Sequence, residues 1–183
     1  MIGYMMNTCS HYADRSKMLI ITTAKDKHAM IKKTLNTLFL ALVAGTAFAQ
    51  GDCGPVETKA PAEEVLKLKI WLSQQKIKAK EDPRGFFYMI EKEGKGEKPT
   101  VCNTVDVNYK GTLLGGDVFD QGKNAVFPLS RLVTGWKEGI PLVAPGGSIT
   151  LYLPPSLAYG AAGGGPIPPN SDLIFYIDLN AVK

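Results

Sequence analysis

The sequence predicts an α+β domain in which a short helix covers one face of an antiparallel sheet. From Gly85 onward, short segments of strand-like composition alternate with glycine and proline turns. Over residues 105–109 apolar and polar side chains alternate, as they do in a strand with one buried face. One short helix, predicted near residues 136–142, would cover that face and complete a domain over residues 83–183.

Five strands are predicted from these runs of apolar and β-branched residues. They are residues 86–91, 101–114, 126–129, 148–153 and 173–182.

A second helix of about 20 residues is predicted before Pro83, within an N-terminal segment that spans residues 50–82. Pro61 suits its first turn, and Leu68 and Leu72 lie at helical spacing. Such a helix is too small to be a domain, so it must pack on the globular part or pair with a second copy through residues 61–82. Trp71 favours packing, because a large aromatic side chain on a short amphipathic helix is more often docked in a core than part of an interface.

Residues 30–49 have the pattern of a secretory signal peptide. Two lysines at 32 and 33 precede a mostly apolar run over residues 35–44, and small residues follow at Ala47 and Ala49. The apolar run is too short to cross a bilayer. We therefore expect export to the periplasm, with translation starting at Met30 and residues 1–29 as a mis-annotated upstream extension. A genuine longer leader is the alternative.

Two cysteines, Cys53 and Cys102, follow the predicted signal peptide, and Cys9 precedes it. In an oxidising compartment an even pair favours a disulfide, which would tie the N-terminal segment to the domain. The alternatives are two free thiols or acylation of Cys53, and acylation would anchor the protein to a membrane.

Charge and histidine content exclude several function classes. Of 21 basic and 17 acidic residues, 15 of each remain after position 49, so the balanced mature chain predicts no nucleic-acid partner, and a membrane contact only if it is lipidated. Both histidines, His11 and His28, precede that position. The mature chain therefore cannot build a Ser-His-Asp triad, a Cys-His dyad or a histidine-ligated zinc site.

Five motifs follow one another along the C-terminal part of the chain. They are Val107-Asn108-Tyr109-Lys110-Gly111, Val118-Phe119-Asp120, Val133-Thr134-Gly135-Trp136, Leu157-Ala158-Tyr159-Gly160 and a closing segment, residues 167–175, that begins Ile167-Pro168-Pro169. In this order they resemble the FKBP-type peptidyl-prolyl cis/trans isomerases, in particular the exported bacterial members of that family. The resemblance implies a curved antiparallel sheet wrapped around one short helix, with no cofactor and no metal ion.

The resemblance also implies an aromatic pocket for a proline ring. Its catalytic positions would be Tyr109, Phe119, Asp120, Trp136, Tyr159 and Phe175, and its substrate-binding positions Phe127, Leu132, Val133 and Ile167. Trp136 would form the floor, the Tyr159 hydroxyl would donate to a substrate carbonyl, and the Ile167 amide would anchor the substrate chain. Asp120 would polarise the site by facing Tyr109 or the bound carbonyl.

The simpler interpretation places the same apolar side chains in a packed core and Asp120 in an exposed turn. A carboxylate beside aromatic residues needs a partner if it is buried, which favours a cleft instead. Residues 161–166 offer no side chain larger than proline, unlike better-known members of the family. Affinity for macrolides and for particular substrates is therefore left open.

Three functions are compatible with these features. The first is an exported isomerase acting on Xaa-Pro bonds in unfolded or partly folded proteins, with macrolides as possible ligands. The second is a client-binding holdase chaperone with little turnover. A structural protein descended from the family is the third, and the intact set of pocket residues argues against it.

Overall fold

The computed structural model of the protein describes Gly54 and residues 57–183. The upstream extension, the signal peptide and Cys53 lie outside the described residues. Cys102 is exposed in the described part, and its disulfide with Cys53 stays a prediction.

A single six-stranded antiparallel sheet organises the described residues. Its strands are β1 (Lys80–Glu81), β2 (Phe87–Lys92), β3 (Thr104–Leu113), β4 (Val118–Pro128), β5 (Gly147–Leu153) and β6 (Leu173–Val182). They are arranged in the order β1-β2-β5-β6-β3-β4. The antiparallel sheet and short helix confirm the predicted fold class. The two-residue strand β1 was not predicted, because two charged residues carry no strand signal.

The inner face of the sheet is covered by α2 (Thr134–Gly139), which continues into a 3-10 turn at Ile140–Leu142. Helix and strand approach closely because α2 has glycine at positions 135 and 139, one turn apart. A Cβ atom at Gly135 would collide with Leu153, and one at Gly139 would collide with Leu151. This contact seats α2 on β5, and Trp136 thereby enters the main core.

Helix α1 (Ala62–Gln74) packs on the outer face of the same sheet. Leu68 and Leu72 are buried against Tyr152 and its neighbours. The Trp71 ring lies 6.4 Å from the Tyr152 ring, centroid to centroid. Burial of each leucine contributes about 1.5–3 kcal/mol. The helix therefore docks on the sheet, as the presence of Trp71 favoured.

Helix α1 is shorter than predicted, with 13 residues where about 20 were expected. Lys76 adopts a left-handed backbone (φ 59°), its amide donates to the Ser73 carbonyl, and the Ile77 amide donates to the Leu72 carbonyl. This pair of backbone hydrogen bonds is a common way for a helix to end, usually with glycine at the left-handed position. The sequence shows lysine there, so the stop signal was missed.

Strand β4 is longer than predicted, with 11 residues that include Asp120. Asn108 of β3 lies opposite two residues of β4, Lys123 and Asn124, and Asn124 has a φ of 50°. This is a β-bulge, in which one extra residue interrupts the alternation of side chains. Because the bulge and the polar residues around it break the alternating pattern, the sequence did not predict the first part of the strand.

The remaining boundaries differ only at their ends. Strand β6 matches its predicted bounds. Strand β2 is shifted by one residue, β3 is shorter by three residues at its start and one at its end, and β5 begins one residue earlier. Helix α2 begins at Thr134 instead of Trp136. Within the described part of the chain, no helix is long and apolar enough to cross a membrane.

Candidate active site

Trp136 lies at the centre of a cluster of aromatic rings contributed by four different elements. Its ring meets Tyr109 of β3 at 5.4 Å, Phe127 of β4 at 6.3 Å and Phe175 of β6 at 5.2 Å, measured between centroids. The interplanar angles are 79°, 78° and 89°, so all three contacts are edge-to-face, the arrangement that aromatic quadrupoles favour. Phe119 in turn meets Phe175 edge-on at 5.5 Å.

A cavity of about 210 Å³ opens beside this cluster. Eight of the predicted site residues line it: Tyr109, Asp120, Phe127, Leu132, Val133, Trp136, Tyr159 and Phe175. The alternation of β3 and β6 explains the placement, since Tyr109 and Phe175 lie on the same face as buried core residues. A volume of this size accommodates one small ring and its adjoining bonds.

The two other predicted residues do not line the cavity. Phe119 packs behind Phe175, and the Phe119 ring lies so close to Gly111 that a Cβ there would approach within 2.5 Å of it. Ile167 is 6% exposed and belongs to the core.

The backbone amide of Ile167 also differs from expectation, because it donates to the Gly164 carbonyl at 2.9 Å. The Gly164 amide donates back to the Ile167 carbonyl at the same distance. The predicted role of this amide, anchoring a substrate, would require that bond to break.

The Val133 amide is better placed, and the sequence did not indicate it. Val133 lines the cavity and precedes the first residue of α2, where helix N–H groups have no intrahelical partner. Among the described residues the structure records no acceptor for this amide. The predicted start of the helix at Trp136 concealed it, because the helix begins two residues earlier.

Asp120 lies at the rim of the cavity, exposed, with the Tyr109 hydroxyl donating to its Oδ2 atom at 2.8 Å. It sits in β4, so the exposed-turn interpretation is wrong about the turn. The carboxylate is exposed, as that interpretation expects, but it lies in the lining of a cavity. Its pairing with Tyr109 agrees with one of the two orientations expected.

Two tyrosine hydroxyls at the site hold their protons more firmly than usual. Burial and the hydrogen bond to Asp120 raise the pKa of Tyr109 to about 12. Burial, with a smaller effect of Asp120, also raises the pKa of Tyr159. The Tyr159 side chain has no acceptor within the described residues, and the residue is 41% exposed. Its hydroxyl is therefore a protonated donor available to a ligand.

Besides the Val133 amide and the Tyr159 hydroxyl, the Trp136 indole N–H is a donor without a partner. It is buried and has no acceptor among the described residues. An unpaired buried donor costs about 1–3 kcal/mol, and such groups are rare outside functional sites.

The described residues include no group of three or more His, Cys, Asp or Glu side chains that could hold a metal ion. A larger groove, of about 640 Å³, lies where mainly polar side chains such as Asn108, Gln121 and Asp178 meet. It contains no cluster of rings, so the smaller aromatic cavity is the candidate site.

Comparison with known proteins agrees with this geometry. Residues 95–180 match the family model described as FKBP-type peptidyl-prolyl cis-trans isomerase. A crystal structure of a peptidyl-prolyl cis-trans isomerase from Pseudomonas syringae pv. tomato is 34% identical, with a TM-score of 0.59. The alignment covers 69% of this chain and 98% of that one. The chain belongs to the FKBP-type peptidyl-prolyl cis-trans isomerase family.

Longer relatives are also similar. FKBP-type peptidyl-prolyl cis-trans isomerase FkpA of Escherichia coli K12 is 37% identical over 176 residues, which are 94% of this chain and 60% of the relative. The crystal structure of FkpA from Escherichia coli has a TM-score of 0.61 and 41% identity, covering 67% of this chain and 60% of that chain. The chain thus spans about 60% of the length of these relatives.

The Tyr109 pKa provides a test of the site's electrostatics. The difference in tyrosinate absorbance between the wild type and Tyr109→Phe is expected to titrate near pH 12. Because a raised pKa means that the folded state holds the proton more firmly, this contribution to stability is complete below pH 10 and is lost as the pH rises through about 12. Asp120→Asn should move the titration part of the way towards 10. A Tyr109 titration that begins near 10 in the wild type would contradict the assigned environment.

Proposed function

We propose that the chain catalyses cis/trans isomerisation of Xaa-Pro bonds in unfolded or partly folded proteins. The observation that carries the proposal is the cavity beside Trp136. It has aromatic walls, with one backbone donor, the Val133 amide, and one hydroxyl donor, that of Tyr159, at its edge. We assign the activity to residues 83–183, with residues 50–82 supplying α1.

The mechanism follows from the physics of the amide bond. Rotation about an Xaa-Pro bond crosses a barrier of about 18–20 kcal/mol, because resonance is lost in the twisted state. A twisted amide separates less charge than a planar one, so an apolar cavity disfavours the planar ground state more. Catalysis then requires only that the proline be held and desolvated, with no covalent intermediate.

Each group at the site has a part in this scheme. The proline ring would lie on Trp136 between Tyr109, Phe127 and Phe175, with Leu132 and Val133 closing one side. The Val133 amide and the Tyr159 hydroxyl would donate to carbonyls that flank the bond. These donors stabilise a transition state only if they are already oriented, since reorganisation during the reaction would cost free energy.

Asp120 would act through Tyr109. Its carboxylate accepts the Tyr109 hydroxyl and so fixes the ring as one wall of the cavity. The same negative charge lies near the Tyr159 hydroxyl, and the pKa of Tyr159 is raised in part by it. Ile167 would support the rim from the core through its side chain.

Substitutions at the rim test this assignment. Tyr159→Phe is expected to lower kcat/KM for Xaa-Pro peptides about tenfold, the free-energy equivalent of one hydrogen bond, with the melting temperature unchanged. Asp120→Ala should also lower it. The matched control is Tyr176→Phe, because Tyr176 is 46% exposed and lies away from the cavity, whereas Tyr159 is 41% exposed. Equal rates for Tyr159→Phe, Asp120→Ala and the control would contradict the proposal.

We place the isomerase ahead of the client-binding holdase, because the matching family is named for isomerase activity. Macrolides that occupy the aromatic cavity would act as competitors in the same assay.

Leu66 and Ile70 of α1 are 58% and 50% exposed and lie one turn apart, so they are the surface through which residues 61–82 would form a homodimer. A monomer at all concentrations in sedimentation would exclude that dimer.

Export to the periplasm is the location that we propose. The intact mass of the protein recovered from a bacterial periplasm is expected to correspond to a chain that begins at Gln50, with Cys53 and Cys102 oxidised. An added lipid mass on a chain that begins at Cys53 would instead establish a membrane anchor. An unprocessed chain that stays in the cytoplasm would contradict both forms of export.

A further inference from the structure

The connection between β5 and β6, residues 154–172, carries Tyr159 and Ile167 and has little regular structure. We call it the β5–β6 loop. Two 3-10 turns, Pro155–Leu157 and Gly160–Ala162, are its only helical parts. Its internal bonds include the Asn170 amide donating to the Gly160 carbonyl at 3.0 Å. Ordering a loop of this length costs conformational entropy, so its ends must be held if Tyr159 is to have one position.

Helix α1 contacts both ends of this loop. At the entry, the Glu64 carboxylate accepts the Ser156 amide at 3.0 Å. At the exit, the Lys67 ammonium lies 2.8 Å from Oδ2 of Asp172. Glu64 and Lys67 are three residues apart and so lie on the same side of the helix. Ser156 is three residues before Tyr159.

Asp172 is an unusual group to find at this junction. Its side chain is only 1% exposed, and the Lys67 ammonium is the cationic partner that the described residues give it. Lys67 is at ion-pair distance but is itself 63% exposed. The hydration free energy that a buried carboxylate loses can exceed what an ion pair with one solvated partner returns.

The protonation behaviour of Asp172 agrees with that cost. Burial raises the pKa of this carboxyl, Lys67 opposes the shift, and the nearby Glu64 adds to it. With a raised pKa, the group's contribution to stability is full at low pH and is lost as the pH rises through the folded-state value. Burial therefore penalises the ionised form of Asp172, and the pair with Lys67 offsets only part of that penalty.

We propose that Glu64 and Lys67 of α1, together with Asp172, are positioning residues that hold the two ends of the β5–β6 loop and so fix Tyr159 at the cavity. The helix on the outer face of the sheet thereby orders a rim formed on the inner face. The catalytic consequence rests on the proposed isomerase function, whereas the ordering of the loop does not.

Hydrogen exchange of the full chain tests the ordering directly. In Glu64→Ala and Lys67→Met, amides of residues 157–167 are expected to exchange about tenfold faster, while those of α2 keep their rates. Glu64→Gln and Lys67→Arg should preserve slow exchange, because the first keeps an acceptor oxygen and the second keeps the charge. The matched control is Lys69→Met. Lys69 is on the same helix, but it pairs with Glu81 of β1 at 2.8 Å and not with the loop. Unchanged loop exchange, or equal acceleration in the control, would overturn the proposal.

Kinetics and stability of Asp172→Asn separate positioning from a purely structural role. The variant removes the buried charge, so its urea midpoint at neutral pH is expected to rise. Its kcat/KM for Xaa-Pro peptides should nevertheless fall about three- to tenfold, mainly through KM. If the urea midpoint and kcat/KM both fall, or both rise, the result would count against a positioning role. A wild type without isomerase activity would refute the proposed function, and the exchange measurement would still decide whether α1 orders the loop.

Discussion

The edge-to-face contacts around Trp136 are the constraint on which the rest of the site depends. They join α2 to β3, β4 and β6, so a displacement of this one ring would disturb its contacts with three aromatic walls of the cavity. The ring is held at this depth because α2 has glycine where it crosses Leu151 and Leu153. An alanine at either glycine would require α2 or the leucine beneath it to shift, and a shift of α2 would displace Trp136. Packing at the core thus sets the shape of a site whose proposed chemistry is mostly a matter of shape.

Sequence patterns were sufficient for the parts of the fold that depend on regular alternation. Strand β6 and the inward direction of Tyr109 and Phe175 follow from a period of two, and α1 from a period of 3.6. The patterns failed where local backbone geometry overrode composition. Lys76 ends α1 in a conformation that usually requires glycine, and the bulge at Asn124 conceals half of β4.

The site was predictable as a set of side chains and less so as a set of backbone donors. Eight of the ten expected residues meet at one cavity, because their motifs come from elements that the sheet brings together. The Val133 amide could not be read from residue types, since its availability depends on where α2 begins. The hydrogen bond from the Ile167 amide to the Gly164 carbonyl depends on the turn that the β5–β6 loop adopts. Glycine permits many turn conformations, so the sequence does not specify which one forms. Asp120 accepts a hydrogen bond from Tyr109, which is one of the two orientations that the resemblance implied.

In the proposed function, this cavity lowers the barrier to rotation about an Xaa-Pro bond. The most direct measurement is the cis/trans exchange rate of short Xaa-Pro peptides by exchange NMR, with the full chain present in catalytic amounts and rapamycin as the competitor. Exchange is expected to be faster and the acceleration to be abolished by the macrolide, because both molecules would occupy the space beside Trp136. Exchange that stays at the uncatalysed rate in the presence of folded protein would contradict it.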